Sequence, residues 1–136
     1  AFCRARLVAG AEMVLDVLDF DTHCRNSCLV LTGEGKLDGQ TLHGKAIIRV
    51  ARRVARLGLD VPVVALVGAV EAEAEETLFA EGVHAVLPIV EGACTLEEAM
   101  GQAYPLLRRA TRRALRWMLV GQKGLPTDVR HAPFIL

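Results

Sequence analysis

Residues 32–45 read TGEGKLDGQTLHGK, which sets Glu34, Lys36, Asp38, Gln40, Thr41 and Lys45 among Gly33, Gly35, Gly39 and Gly44. Carboxylates, ammonium groups, an amide and a hydroxyl within one short stretch can hold a polar ligand. The glycines let the backbone turn sharply and approach that ligand closely. Upstream, Cys28–Leu31 (CLVL) is apolar and reads as the end of a buried strand; downstream, AIIRVARRVARLGL has helical spacing. A polar, glycine-rich loop between a strand and a helix N-terminus is where α/β proteins place ligands, and the free N–H groups opening the helix attract anions.

The elements that must position this loop follow from the pattern of apolar residues. Glu12–Leu18 places Met13, Val14, Val17 and Leu18 on one helical face, and Phe20–Asn26 reads as a second short helix or turn. Cys28–Thr32 is the first strand. A helix over about 42–57 buries Ile47, Val50, Ala51 and Val54, leaves Arg49, Arg52, Arg53 and Arg56 solvated, and ends at Gly58 in a left-handed cap. Val61–Val67 is a near-continuous apolar run, as expected of a parallel strand covered on both faces. An acidic helix over Glu71–Ala80 and a third strand over Val83–Val90 follow, and Thr95 with Glu98 makes a capping box. The last helix runs to about Leu119, with Arg109, Arg112, Arg113 and Arg116 on a solvated face; Pro105 is expected to kink or split it. The tail 121–136 shows no periodicity and reads as irregular.

Strand, helix, strand, helix, strand, helix is the order of a parallel α/β layer. Right-handed crossovers place all three strand ends on one edge, so the loops 32–45, 68–71 and 88–94 are expected to share one cleft. Three strands also leave a sheet edge exposed. Self-association is therefore expected, through that edge or through the apolar surface of the first segment.

Composition narrows the classes. The chain has 136 residues, 52% of them hydrophobic, enough for one globular domain with a core. Its 16 basic and 16 acidic residues cancel, and aromatics make up 4%, which argues against nucleic-acid or membrane-surface partners. No apolar run is long enough to span a bilayer and no signal peptide is visible. Cys3, Cys24, Cys28 and Cys94 contain no CxxC pair and read as free thiols in a reducing cytoplasm. His23, His43, His84 and His131 lack the spacing of a metal site.

The segment TGEGKLDGQTLHGK resembles the TGEG(R/K)xDxQTxxGK signature of the bacterial type I glycerate kinases, and the similarity continues through VARRVA, PVVALVGAV and EGVHAVLPIVEGACTLEEA. It covers roughly residues 1–120 and corresponds to the C-terminal third of such an enzyme. It implies a Rossmann-like three-layer α/β unit, partial relative to the full family fold, followed by the irregular tail. It also implies transfer of the γ-phosphate of ATP to glycerate with Mg2+, most often giving 2-phosphoglycerate. Such chemistry needs positioning and charge neutralisation more than covalent catalysis.

Carried onto this sequence, the resemblance makes Asp38 and Lys45 the catalytic candidates. Asp38 could accept the glycerate hydroxyl proton or bind Mg2+, and Lys45 could meet a phosphate or the glycerate carboxylate. Glu34 is a second candidate for Mg2+ or for orienting a basic partner. Thr32, Gln40 and Thr41 can hydrogen-bond a small hydroxy acid, and Gly33, Gly35 and Gly44 shape the backbone around it. Each has a plainer alternative, such as a turn-forming Asp38 before Gly39 or an N-capping Thr41.

Two positions depart from the family's GKxPxGVA. Ile47 replaces a proline, and Arg49 replaces a glycine, where it could obstruct close approach of the helix to the sheet or to a ligand. Two other readings stay open: a non-catalytic module binding an anion at the 33–45 loop, and a self-associating structural remnant.

Overall fold

The two most apolar runs of the sequence, on either side of the arginine-rich helix, pair in parallel at the centre of the molecule. The structure, a computed structural model, describes residues 9–37, 46–122 and 134–135. In chain order the elements are α1 (Gly10–Val17), α2 (Phe20–Arg25), β1 (Leu29–Leu37), α3 (Ala46–Arg56), β2 (Val63–Val70), α4 (Ala72–Ala80), β3 (Ala85–Pro88), α5 (Leu96–Gly101), α6 (Ala103–Gln122) and β4 (Phe134–Ile135). The sheet order is β3-β2-β1-β4 and every pairing is parallel.

The sheet is covered on both faces. Val30, Val63, Ala65, Val67 and Val86 join Ile47, Ile48, Ala51 and Val54 of α3, Ala74 and Leu78 of α4, and Leu15, Phe20 and Cys24 of the first two helices in the main core. The opposite face carries Leu29, Leu31 and Val64, against which Leu115 and Met118 of α6 pack. This is the expected three-layer α/β arrangement. Each fully buried aliphatic side chain contributes about 1.5–3 kcal/mol.

Both central strands run further than the apolar pattern suggests. β1 continues through Thr32–Leu37, and β2 through Gly68 to Val70, with one offset from Val30↔Val63 to Leu37↔Val70 that skips only Gly35 and Gly68. Residues 32–37 of the expected loop 32–45 are therefore strand, and so is the expected loop at Gly68. The cause is glycine. A methyl group on Gly33 would stand 2.8 Å from the Leu66 carbonyl oxygen, and one on Gly68 would strike the carbonyl of Gly35. The two backbones lie too close for side chains at these positions. Val30 and Leu37 are an odd number of positions apart, as are Val67 and Val70, yet all four meet the main core. Side chains should alternate between faces, so the alternation breaks once in each strand, in step, across the stretch holding Gly35 and Gly68.

Several terminal signals hold. Gly58 ends α3 with φ 62°, a left-handed conformation that suits a residue without Cβ. Thr95 accepts from the Glu98 N–H while Glu98 accepts from the Thr95 N–H at 2.7 Å, completing the capping box. The last helix is split rather than kinked, one of the two outcomes expected around Pro105. The break falls at Gln102, and the proline stands in the first turn of α6, where a missing N–H is tolerated. The tail departs from the irregular reading at its two ends: Gly121 and Gln122 continue α6, and Phe134–Ile135 pair with Leu29–Val30. Residues 123–133 and Leu136 lie outside the described residues.

One expectation about the helices is corrected, at Arg53. The apolar face of α1 stays outside the core: Met13, Val14, Val17 and Leu18 are all more than half exposed, while Leu15 enters the core. The acidic side of α1 turns toward α3, where Arg53 is not solvated. Its guanidinium donates to both carboxylate oxygens of Asp21 at 2.6 and 3.1 Å, to Asp16 at 2.7 Å and to Glu12 at 3.2 Å. Arg56 also reaches Glu12, at 3.1 Å. A planar fork of donors suits such shared carboxylates. This network, rather than apolar packing alone, sets the first two helices against α3.

Two predictions follow from the crowded strands and the arginine hub. Gly68→Ala should lower stability by about 1–3 kcal/mol in urea denaturation, as overpacking does, whereas Gly35→Ala, whose added methyl meets nothing within 4 Å, should leave it unchanged or slightly raised. Equal effects of the two would contradict the close approach. The hydrogen bond from Arg53 holds the Asp21 carboxyl below its ordinary pKa of 3.8. A depressed carboxylate stabilises the fold above its unfolded pKa, and that contribution is lost as pH falls through the folded value. Asp21→Asn should thus be less stable than the parent at neutral pH, with the gap closing below about pH 4. A gap independent of pH would show that Arg53 does not act through that charge.

Candidate functional site

The glycine-rich motif straddles the end of a strand. Its first part, Thr32, Gly33, Glu34 and Gly35, lies in the carboxyl half of β1, with Thr32 opposite Ala65, Gly33 opposite Leu66 and Glu34 opposite Val67. Asp38, Gln40, Thr41, Gly44 and Lys45 lie outside the described residues, so the structure leaves their sequence-based roles as they were. Both flanks of that stretch are fixed. Leu37 and Ile47 are fully buried in the same core, and the Leu37 carbonyl accepts from the Glu71 N–H at 3.1 Å. Residues 38–45 therefore connect two anchored points at the carboxyl edge of the sheet.

The sheet order places this edge at a telling position. From β1 the chain moves to β2 and then β3 on one side, while β4 pairs with β1 on the other. The order reverses at β1, and in open parallel sheets ligands bind outside the carboxyl ends of strands at such a reversal. Glu34 is half-buried there and has no side-chain partner among the described residues. Its oxygens are available to a cation or a donor. Lys36 pairs with Glu71 at 3.4 Å, a loose charge contact with both side chains well exposed. An exposed pair of this kind is worth about 0–1 kcal/mol.

The departures at 47 and 49 now have structural meaning. Ile47, at 0% exposure, is a core anchor where a proline could only have started the helix. Arg49 is half-buried but stands outside the face of Ile47, Ile48, Ala51 and Val54 that meets the sheet, so α3 docks with the arginine in place. Gly68 and Glu71, read from the sequence as one of the three loops of the cleft, instead brace the two strands: Gly68 lies within β2 against the Gly35 carbonyl, and the Glu71 N–H holds the end of β1.

Other titratable groups are used structurally. His84 accepts the Val63 N–H through Nδ1 at 3.1 Å while its backbone N–H donates to the Val63 carbonyl at 2.8 Å. Burial pushes the Cys24 thiol above its ordinary pKa. Cys24 and Cys94 are free thiols. Among the described residues no group of three or more His, Cys, Asp or Glu side chains could by itself hold a metal, and no helix is long and apolar enough to cross a membrane.

With this geometry in place, comparison with known proteins is specific. The model of the Glycerate kinase family matches residues 1–119. The chain is 36% identical over 111 residues to the glycerate kinase of Bacillus subtilis (strain 168), covering 82% of this chain and 28% of that protein. It is 32% identical over 124 residues to the glycerate 2-kinase of Escherichia coli (strain K12), covering 91% of this chain and 32% of that one. A crystal structure from Salmonella typhimurium LT2, provisionally named glycerate kinase 2, superposes with a TM-score of 0.66 at 36% identity over 90% of this chain and 30% of its own. The chain thus spans about a third of the length of these relatives. With most of its residues matched by the family model and its sheet matched by a solved relative, the chain belongs to the glycerate kinase family.

Proposed function

We propose that this chain supplies the carboxyl-edge part of an ATP-dependent glycerate kinase that makes phosphoglycerate, 2-phosphoglycerate in the first instance. The observation that carries the reading is the placement of TGEGK along the carboxyl half of β1, at the strand where the sheet order reverses. The names of the relatives support the acceptor, and that of the E. coli relative supports the 2-position.

In this reading Asp38 takes the proton from the glycerate hydroxyl as that oxygen attacks the γ-phosphorus and the bond to the bridging oxygen of ADP breaks, releasing ADP. Lys45 balances the charge of the phosphate or of the glycerate carboxylate, and Thr32, Gln40 and Thr41 orient the hydroxy acid. Gly33 keeps β1 against β2, and Gly35 and Gly44 leave room for the ligand. The donor set suits Mg2+: Glu34 has no paired cation among the described residues, and Asp38 is a second carboxylate following close in the motif. Bound there, the ion would neutralise phosphate charge. Free thiols at Cys24 and Cys94 support a reducing, cytoplasmic setting. The exposed Met13, Val14, Val17 and Leu18 of α1, together with the outer edge of β3, support self-association.

A coupled ATPase assay on this polypeptide with D-glycerate and Mg2+ tests the reading. ADP release should depend on glycerate, and kcat/KM should fall by about 10²–10⁴ in Asp38→Asn, with a comparable loss in Lys45→Ala and little change in urea midpoint for either. A folded chain without glycerate-dependent release would show that the chemistry needs residues not present in it. Unchanged turnover in Asp38→Asn would remove that residue from the catalytic role. Light scattering should report an assembly larger than the monomer, and a monomer at all concentrations would exclude self-association.

A further inference from the structure

The five arginines of α6 are all exposed, as expected from the sequence, but they differ in what they face. Arg113 Nη1 lies 2.5 Å from Glu91 Oε1 and ties the β3–α5 loop to the helix. One and two turns earlier on the same stripe come Arg109 and Leu106, with Gln102 just before the start of α6, and these face Val90–Cys94 across a cleft of about 170 Å³. The buried Leu106 forms its floor. The cleft opens beyond the carboxyl end of β3, on the sheet face covered by α6.

Its polar groups are unevenly satisfied. Of the two lining carboxylates, Glu91 is held by Arg113, and Glu98 is held by the Thr95 N–H at 2.7 Å and the Thr95 hydroxyl at 3.0 Å. The Arg109 guanidinium and the Gln102 side-chain amide have no partner among the described residues. What remains unpaired is thus a planar, permanently charged fork and an amide donor, above an apolar floor. That combination recognises a carboxylate or a phosphate group, which a guanidinium can hold with two parallel hydrogen bonds. The volume is below the ~300 Å³ at which sites for drug-sized molecules begin, so it admits a three-carbon acid or a single phosphate group and excludes a whole nucleotide.

We propose that this cleft is a binding site for a small organic or inorganic anion, held by Arg109 and Gln102 and bounded by the loop that Arg113 fixes to α6. It goes beyond the kinase reading and does not depend on it, because an anion can seat there whether or not this chain transfers phosphate.

Cys94 lines the cleft and is an exposed free thiol, so it reports occupancy directly. Alkylation of the intact chain would be followed by peptide mass mapping, which separates Cys94 from the other cysteines. The probes are D-glycerate, inorganic phosphate and ATP, each against a matched chloride control. Glycerate or phosphate should slow Cys94 modification, about tenfold at ~10 times its Kd, and the one that does so names the source of the anion. The protection should vanish in Arg109→Ala and weaken in Gln102→Ala. It should persist in Arg112→Ala, an exposed arginine on the same helix that does not line the cleft. No protection by either small anion, protection by ATP alone, or equal protection in Arg109→Ala would each overturn the proposal. Absence of kinase activity would not bear on it.

Discussion

The close parallel approach of β1 and β2 at Gly33, Gly35 and Gly68 is the contact on which the carboxyl edge of this sheet depends. Two strands of ordinary composition would keep their side chains alternating to the end and could not lie so near at these positions. Here each gives up side chains where the neighbouring carbonyl approaches. Both strands then change face together, which returns Leu37 and Val70 to the main core. The motif is thereby held by the strand that begins it and by the buried Leu37 that closes that strand. A residue with Cβ at Gly33 or Gly68 would push the strands apart where the polar groups must be placed.

A second constraint works from the other side of the motif. α3 is bound to the sheet by Ile47, Ile48, Ala51 and Val54, and to the first two helices by Arg53 and Arg56. Ile47 is the buried residue nearest to the far end of the motif. The stretch that carries Asp38 and Lys45 thus joins two rigid supports, the end of β1 and the start of α3. Anchored ends reduce the conformational freedom that ordering such a segment around a ligand would cost. The same logic appears on the opposite face, where Arg113 and the Thr95–Glu98 capping box fix both borders of the cleft around Arg109.

Membership of the glycerate kinase family gives these supports a purpose without requiring that one third of the family's length perform the whole reaction. The described residues provide a strand end, a carboxylate at Glu34 and a fixed helix start.

Much of this was legible in the residues. Apolar runs gave the three main strands and their parallel order, Gly58 gave the end of α3, and Thr95 with Glu98 gave the cap, because these depend on local periodicity and on hydrogen bonds between near neighbours. The family was legible too, since TGEGKLDGQTLHGK is long enough to be distinctive. The tertiary structure decided what depends on partners distant in sequence. It assigned Gly33 to strand rather than loop because Leu66 lies beside it, and it gave Arg53 three carboxylates that helical spacing alone left as solvent. It also left the apolar face of α1 exposed and divided the arginines of α6 between a salt bridge and a cleft. Periodicity records which side of an element is apolar, but the neighbour that each side meets is fixed only when the chain has folded.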